Sequence, residues 1–341
     1  MTLARLFFLL VIISLSGIQS TFAEETDQFT LPPTELYDMG PMASTKLYEV
    51  LKSVIATTNA ELRMYQARAV HSRHAAAQLA KRQSDIYLAD LLYQRTGPGF
   101  PRWLRWNRSE KYSKPIEFKE RWPWNTVYWL FITQSPFFLV GLTPTVNMYN
   151  YYFGTDKFGH FFMQGHSYYK LYRYCLAHGK SKKQAREVMV TYGEIIEQTY
   201  LGTMINSVYS NADLSANYAG WKFYMNLAHS VKIGDKTLPP ILEFKDNQWQ
   251  FSRHIDKNTL LKPYLSDHLN EALNPSRYLF LQGQIRRQVK KRCADWIERK
   301  GLTQQFVQTK LDEVKLWHNE PYGHWLTASN AVTLNACFGG K

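Results

Sequence analysis

Three pairs of polar residues are spaced to share helix faces. Asp156 and His160 are four residues apart, Glu194 and Glu197 three, and Asp213 and Asn217 four. Offsets of three and four place both members of a pair on one stripe of an α-helix. Lys157 adjoins the first pair, Gln198 the second, and Gly220 follows Asn217 by three. Their neighbours are largely apolar or aromatic, so ionisable groups there are costly unless paired. If the stripes face one another, they gather carboxylates, an imidazole, a carboxamide and an ammonium. Such a set suits a divalent metal ion with an activated water, or a general acid beside a base. On that reading His160, Glu194 and Asp213 are the catalytic candidates, and Lys157 and Asn217 would bind substrate. Asp156, His160, Glu194, Glu197 and Asp213 would be the metal ligands, and a divalent metal the cofactor. A ferritin-like di-metal centre is disfavoured, because it needs Glu-x-x-His on each of two helices and this region has none.

The competing reading is a satisfied polar network that fixes helix register. Ser210 with Asp213 three residues on fits a capping box, and Asp156 with Lys157 would simply open a helix whose dipole favours the acid.

These pairs need helices to carry them. Helical periodicity runs from Thr45 to about Gln94 through Leu47, Val50, Leu51 and Val54, and Gly97, Gly99 and Pro101 end it. His71, Arg73 and His74 read as a solvated face. Further helices are expected over 156–177, from Ser181 to Tyr200 with Ser181 and Gln184 as a capping box, and from Ser210 to His229. A β-hairpin follows, Ile241–Lys245 and Gln248–Ser252 about the turn Asp246-Asn247. The remainder reads as helical, basic over Arg277–Arg299 and amphipathic over Thr303–Trp317. The expected fold is therefore mainly α, a helical bundle with one small β-hairpin near 241–252.

In order and spacing, Asp156-Lys157-x-x-His160, Glu194-x-x-Glu197 and Asp213-x-x-x-Asn217-x-x-Gly220 resemble the VanZ-like pattern, D-K-x-x-H, E-x-x-Q, D-x-x-x-N-x-x-G. A related group of small envelope lipoproteins carries a similar series. The likeness covers about residues 154–220, with Glu197 where the pattern has Gln. It implies helices at or in a bacterial membrane and, from the namesake, a link to glycopeptide-antibiotic tolerance.

The first 23 residues have the layout of an export signal: Arg5, an apolar run from Leu6 through Leu15, and Thr21-Phe22-Ala23 before Glu24-Glu25. Removing them lowers the net charge from +13 to +12. Outside the cytoplasm such charge points to anionic headgroups or envelope polymers rather than nucleic acid. The oxidising setting would let two of the three cysteines pair, and Cys293 with Cys337 is proposed from their shared C-terminal location. Between Trp122 and Thr155 stand 34 uncharged residues, with Trp122, Trp124 and Trp129 at the entry. They read equally as a segment dipping into a bilayer and as a buried hydrophobic hairpin.

The expected organisation is a signal over 1–23, a helical extension over 24–121, a VanZ-like core over 122–230, and a hairpin plus basic helices over 231–341. The expected role is structural or binding work in envelope maintenance, in the periplasm or at the outer face of the membrane. The alternative is a metal-assisted hydrolase of a lipid or wall precursor. Arg286, Arg287, Lys290, Lys291 and Arg292 form a basic helix suited to anionic lipid. His166 reads as a core histidine. His318, Glu320 and His324 are weaker metal candidates on a loop, and Asn107-Arg108-Ser109 fits a glycosylation acceptor.

Overall fold

The computed structural model describes residues 25–96, 112–129, 142–199, 207–279, 281–323 and 331–339. The signal segment, the glycosylation motif, His324 and the middle of the uncharged stretch lie outside them.

The chain is mainly helical. The periodic stretch at its start divides into α1 (Gly40–Ala69), α2 (Arg73–Arg82) and α3 (Asp85–Thr96). Two serines explain the divisions. Ser72 accepts from the Ala75 amide and caps α2, and Ser84 accepts from the Tyr87 amide at the start of α3. His71, Arg73 and His74 are exposed, as a solvated face requires.

The uncharged stretch supplies two strands in its described part. Strands β2 (Thr145–Met148) and β3 (Tyr151–Gly154) pair antiparallel, and β1 (Glu117–Phe118) adds to β2. No helix among the described residues is long and apolar enough to cross a membrane. Trp122 and Trp124 stack with ring centroids 4.9 Å apart and are 46% and 62% exposed.

Helix α4 begins as an α-turn at Lys157–Gly159, widens into a π-turn over His160–Gln164, and continues as α-helix over Gly165–Ala177. Helix α5 (Lys182–Gln198) starts with the expected capping box of Ser181 and Gln184. Strand β4 (Val208–Ser210) leads directly into α6 (Asn211–Asn226). Helix α6 is buried on nearly every side and packs against α4 and α5.

The predicted hairpin is present as β7 (Leu242–Lys245) and β8 (Gln248–Phe251). Asp246 and Asn247 both have positive φ, as a two-residue primed turn requires. Strands are more numerous than expected. Strands β5 (Val231–Ile233) and β6 (Lys236–Leu238) also pair. Ser276–Tyr278, read as part of a basic helix, is β9 and pairs with β4. That pairing joins the strand before α6 to the C-terminal region, a long-range contact that no local periodicity reveals. Helices α7 (Gln282–Lys290), α8 (Cys293–Lys300) and α9 (Gln304–Glu313) follow.

One apolar cluster joins α1, α3, α4, α6 and the β7–β8 hairpin through residues such as Leu47, Leu88, Phe161, Tyr218 and Leu242. A second gathers Phe29, Val208, Ile285, Trp296 and Leu334 under the C-terminal helices. Cys293 and Cys337 form a disulfide across that cluster's edge, and Cys175 is free and buried.

Candidate functional site

Lys157 is the centre of the polar set. Its side chain is 1% exposed, and Nζ lies 2.6 Å from Asp213 Oδ1, 2.5 Å from Glu271 Oε1, and against Asp156 Oδ2. An ammonium has three donors, and three carboxylates surround this one. Asp156 precedes α4, Asp213 lies in the first turn of α6, and Glu271 sits in the loop before β9. None of the three side chains is more than 5% exposed.

Each carboxylate has a second tie. Asp156 Oδ1 accepts from Thr26 at 2.8 Å and Thr143 at 3.0 Å, so it does not cap α4. Tyr128 donates to Glu271 Oε2 at 3.2 Å, and Gln28 accepts from the Glu271 amide at 2.6 Å.

His160 bridges both members of the third pair. Nε2 is 3.2 Å from Asp213 Oδ2 and Nδ1 is 3.1 Å from Asn217 Oδ1. With an oxygen facing each nitrogen, the doubly protonated imidazolium is favoured. The contact depends on close backbone approach. A Cβ on Gly165 would stand 2.6 Å from Gly220 Cα, and one on Gly220 would overlap the Phe161 carbonyl oxygen. Gly220 therefore lets α6 reach the π-turn that carries His160.

The capping box expected at Ser210 forms only by half. Ser210 Oγ accepts from the Asp213 amide, but the Ser210 amide donates to Glu197 Oε1 at 2.9 Å. Glu197, arriving from α5, takes the reciprocal place. That substitution frees the Asp213 carboxylate to face Lys157 and His160.

The electrostatics follow from burial and proximity. Burial would strip the Lys157 proton, but Asp156, Asp213 and Glu271 outweigh it and hold its pKa well above the lysine range. Burial likewise opposes charge on His160, yet Asp213 pushes its pKa up to about 9. Asp213 itself is held well below the carboxylate range, because His160 and Lys157 overcome its desolvation. Burial, reinforced by Asp213, pushes Glu197 up to about 8. Burial also raises Glu271, and the pull of Lys157 leaves it at about 7. Glu25, 2% exposed, is raised well above its ordinary value by burial and by Glu271. At neutral pH the assembly thus holds two cations, an ionised Asp213, a protonated Glu197, and a Glu271 able to exchange a proton, with Glu25 shifted toward its neutral form.

The structure therefore brings Asp156, Lys157, His160, Glu197, Asp213 and Asn217 into one buried network. Glu194 lies at its edge: its carboxylate borders Gly323, near the Tyr168 and Tyr209 phenols that Glu197 also influences. Asp156, His160 and Asp213 each offer a ligand atom within 4.8 Å of the others, and neither Glu194 nor Glu197 belongs to that trio. A metal ion there would compete with Lys157 for the carboxylate oxygens of Asp156 and Asp213. The donors as arranged fit an ammonium rather than a divalent ion.

Glu25, Thr26, Gln28, Tyr128, Thr143 and Glu271 escaped the sequence reading. Glu271 lies between Leu269-Asn270 and Ala272-Leu273, and an acid beside apolar residues is the signal that could have flagged it. Among the other candidates, His166 Nε2 lies 2.9 Å from Asp90 and its ring stacks on Tyr93, a core histidine as expected. Glu320 is engaged by Lys222 at 2.7 Å and Tyr218 at 2.5 Å. Arg286 and Arg292 of the basic helix bond backbone oxygens at Ala331 and Asn125, which leaves Arg287, Lys290 and Lys291 as its exposed charges.

Comparison of the chain with known protein families, curated proteins and solved structures finds no match.

Proposed function

We propose that the chain is an exported cell-envelope protein with a VanZ-like helical core, serving a structural or binding role in envelope maintenance. Its polar cluster is, in this reading, a register-fixing network. The carrying observation is Lys157, whose ammonium is ringed by three carboxylates no more than 5% exposed. A catalytic lysine or carboxylate needs substrate within hydrogen-bond reach, and here the Lys157 ammonium is surrounded by the protein's own carboxylates. The Cys293–Cys337 disulfide supports an oxidising compartment. The exposed Trp122–Trp124 stack and the +12 charge support a place at an anionic membrane surface. Cleavage after Ala23 would leave the bonds of Thr26 and Gln28 to the network intact.

The test is elemental analysis and thermal melting of the purified mature protein, beside its His160→Ala and Asp213→Asn variants. Absence of stoichiometric metal, with a melting temperature several degrees lower in both variants, is the expected result. Stoichiometric metal in the parent that both variants lose would overturn the reading. It would favour the metal-assisted hydrolase, which the Asp156, His160 and Asp213 trio recommends but which requires Lys157 to withdraw. Export is checked by N-terminal sequencing, where a chain starting at Glu24 is expected and one retaining Met1 counts against it.

A further inference from the structure

A second site lies away from the network, where the C-terminal halves of α4 and α6 meet the start of α5 and β5. They line an open cavity of about 710 Å³, within the range of roughly 300–1,000 Å³ typical of small-molecule sites. Its floor is apolar, made by Tyr172, Leu176, Trp221, Met225 and Val231. Its walls and rim carry Arg173, Lys182, Lys222, His229 and Lys232. Two acids answer this charge from behind. Asp85 pairs with Arg173 and with His229, and Glu320 pairs with Lys222. Lys182 and Lys232 are exposed and have no carboxylate partner among the described residues.

Lys222 is the anchor. It is 6% exposed, and its Nζ donates to Glu320 at 2.7 Å and to the Lys232 carbonyl at 3.1 Å. It also lies 5.1 Å from the Trp221 ring centroid. Those contacts hold the ammonium in place, and with three donors and two acceptors it has one N–H left for a ligand. A pre-positioned cation beside an aromatic floor, flanked by two unpaired lysines, is complementary to a negative headgroup on an apolar body.

We propose that this cavity binds a single-chain anionic amphiphile, a monoacyl carboxylate or a phosphate monoester with a hydrocarbon tail. The anion meets Lys222, Lys182 and Lys232, and the tail lies on Trp221, Met225 and Leu176. A free amphiphile and a bilayer lipid share this headgroup chemistry, and a cavity of this size admits the monomer.

Isothermal titration calorimetry on the full mature chain tests this with dodecyl phosphate, dodecanoate, neutral dodecyl maltoside, inorganic phosphate and anionic phospholipid vesicles, the detergents kept below micellar concentration. Dodecyl phosphate is expected to bind at least tenfold more tightly than either dodecyl maltoside or inorganic phosphate. The double variant Lys182→Glu/Lys232→Glu, both positions being exposed, should weaken it at least tenfold while the circular dichroism spectrum stays unchanged. Ala177→Trp, which adds bulk at the cavity wall from an exposed position, should abolish it. Equal affinity for charged and neutral amphiphiles, affinity unchanged in both variants, binding to vesicles alone, or no binding of any amphiphile would each overturn the proposal. The outcome is independent of whether the Lys157 network binds metal.

Discussion

Replacing Lys157 by Met removes one ammonium and leaves three buried carboxylates facing one another. Methionine fills similar volume, so the loss is electrostatic rather than a cavity. Removing one partner from a buried ion pair costs about 3–5 kcal/mol. The upper end is softened because Glu271, already at about 7, readily takes up a proton when Lys157 no longer opposes it. We therefore expect a loss of about 3–4 kcal/mol at pH 7. For a chain of this length the melting temperature moves by about 2 °C per kcal/mol, giving a fall of roughly 6–8 °C. The assay is urea unfolding followed by circular dichroism on the wild type, Lys157→Met, Glu271→Gln and the double variant. Glu271→Gln alone should cost about 1 kcal/mol, since it keeps the shape and removes a charge that is only partly present. The double variant should fall short of the summed losses by about 1–3 kcal/mol, because the two groups touch. A cost below about 1 kcal/mol for Lys157→Met, or strict additivity with Glu271→Gln, would refute the claim that this ammonium organises the core.

Stability should decrease as pH rises from 6.5 to 9. Folded His160 keeps its proton up to about 9 while the unfolded imidazole releases it near 6.5, so this contribution is complete below 6.5 and lost by 9, worth about 3 kcal/mol by linkage. Glu271 and Glu197 act in the same direction, starting from 4.5 and ending at about 7 and 8; a urea midpoint that stays level or rises between pH 6 and 9 would contradict this, and His160→Gln should flatten the profile. Gly220→Ala should cost about 1–3 kcal/mol, as overpacking does, and should shift the His160 ring signals in NMR because α6 must back away from Phe161; unchanged signals would sink the close-approach argument. Reducing the disulfide opens a link across a sequence separation of 44 and should lower stability by about 4 kcal/mol on loop-closure entropy, read as a drop in melting temperature on adding dithiothreitol; no drop would show that the C-terminal region holds without it.

Local features were legible where local physics decides them. The hairpin at 242–251 follows from alternation around Asp246-Asn247, and the start of α5 from a capping box contained in four residues. The breaks at Ser72 and Ser84 were equally local, but unbroken apolar periodicity on both sides concealed them. Strand β9 was hidden for a different reason: its partner β4 lies more than sixty residues away, and its arginine resembles those of the helix that follows.

By itself, the sequence determined which polar pairs would share a stripe wherever their segments are helical, because offsets of three and four fall on one face of a helix. It thereby placed Asp156, His160, Asp213 and Asn217 as candidates for a shared site. Only the tertiary structure decided what those residues do to one another. It turned Glu197 into the cap partner of Ser210, sent Glu194 toward Gly323, and brought Glu25 and Glu271 from opposite ends of the chain to Lys157. Periodicity encodes which way a side chain faces along its own helix. It does not encode which distant charge it will meet, and for a buried ion that meeting sets both the pKa and the energy.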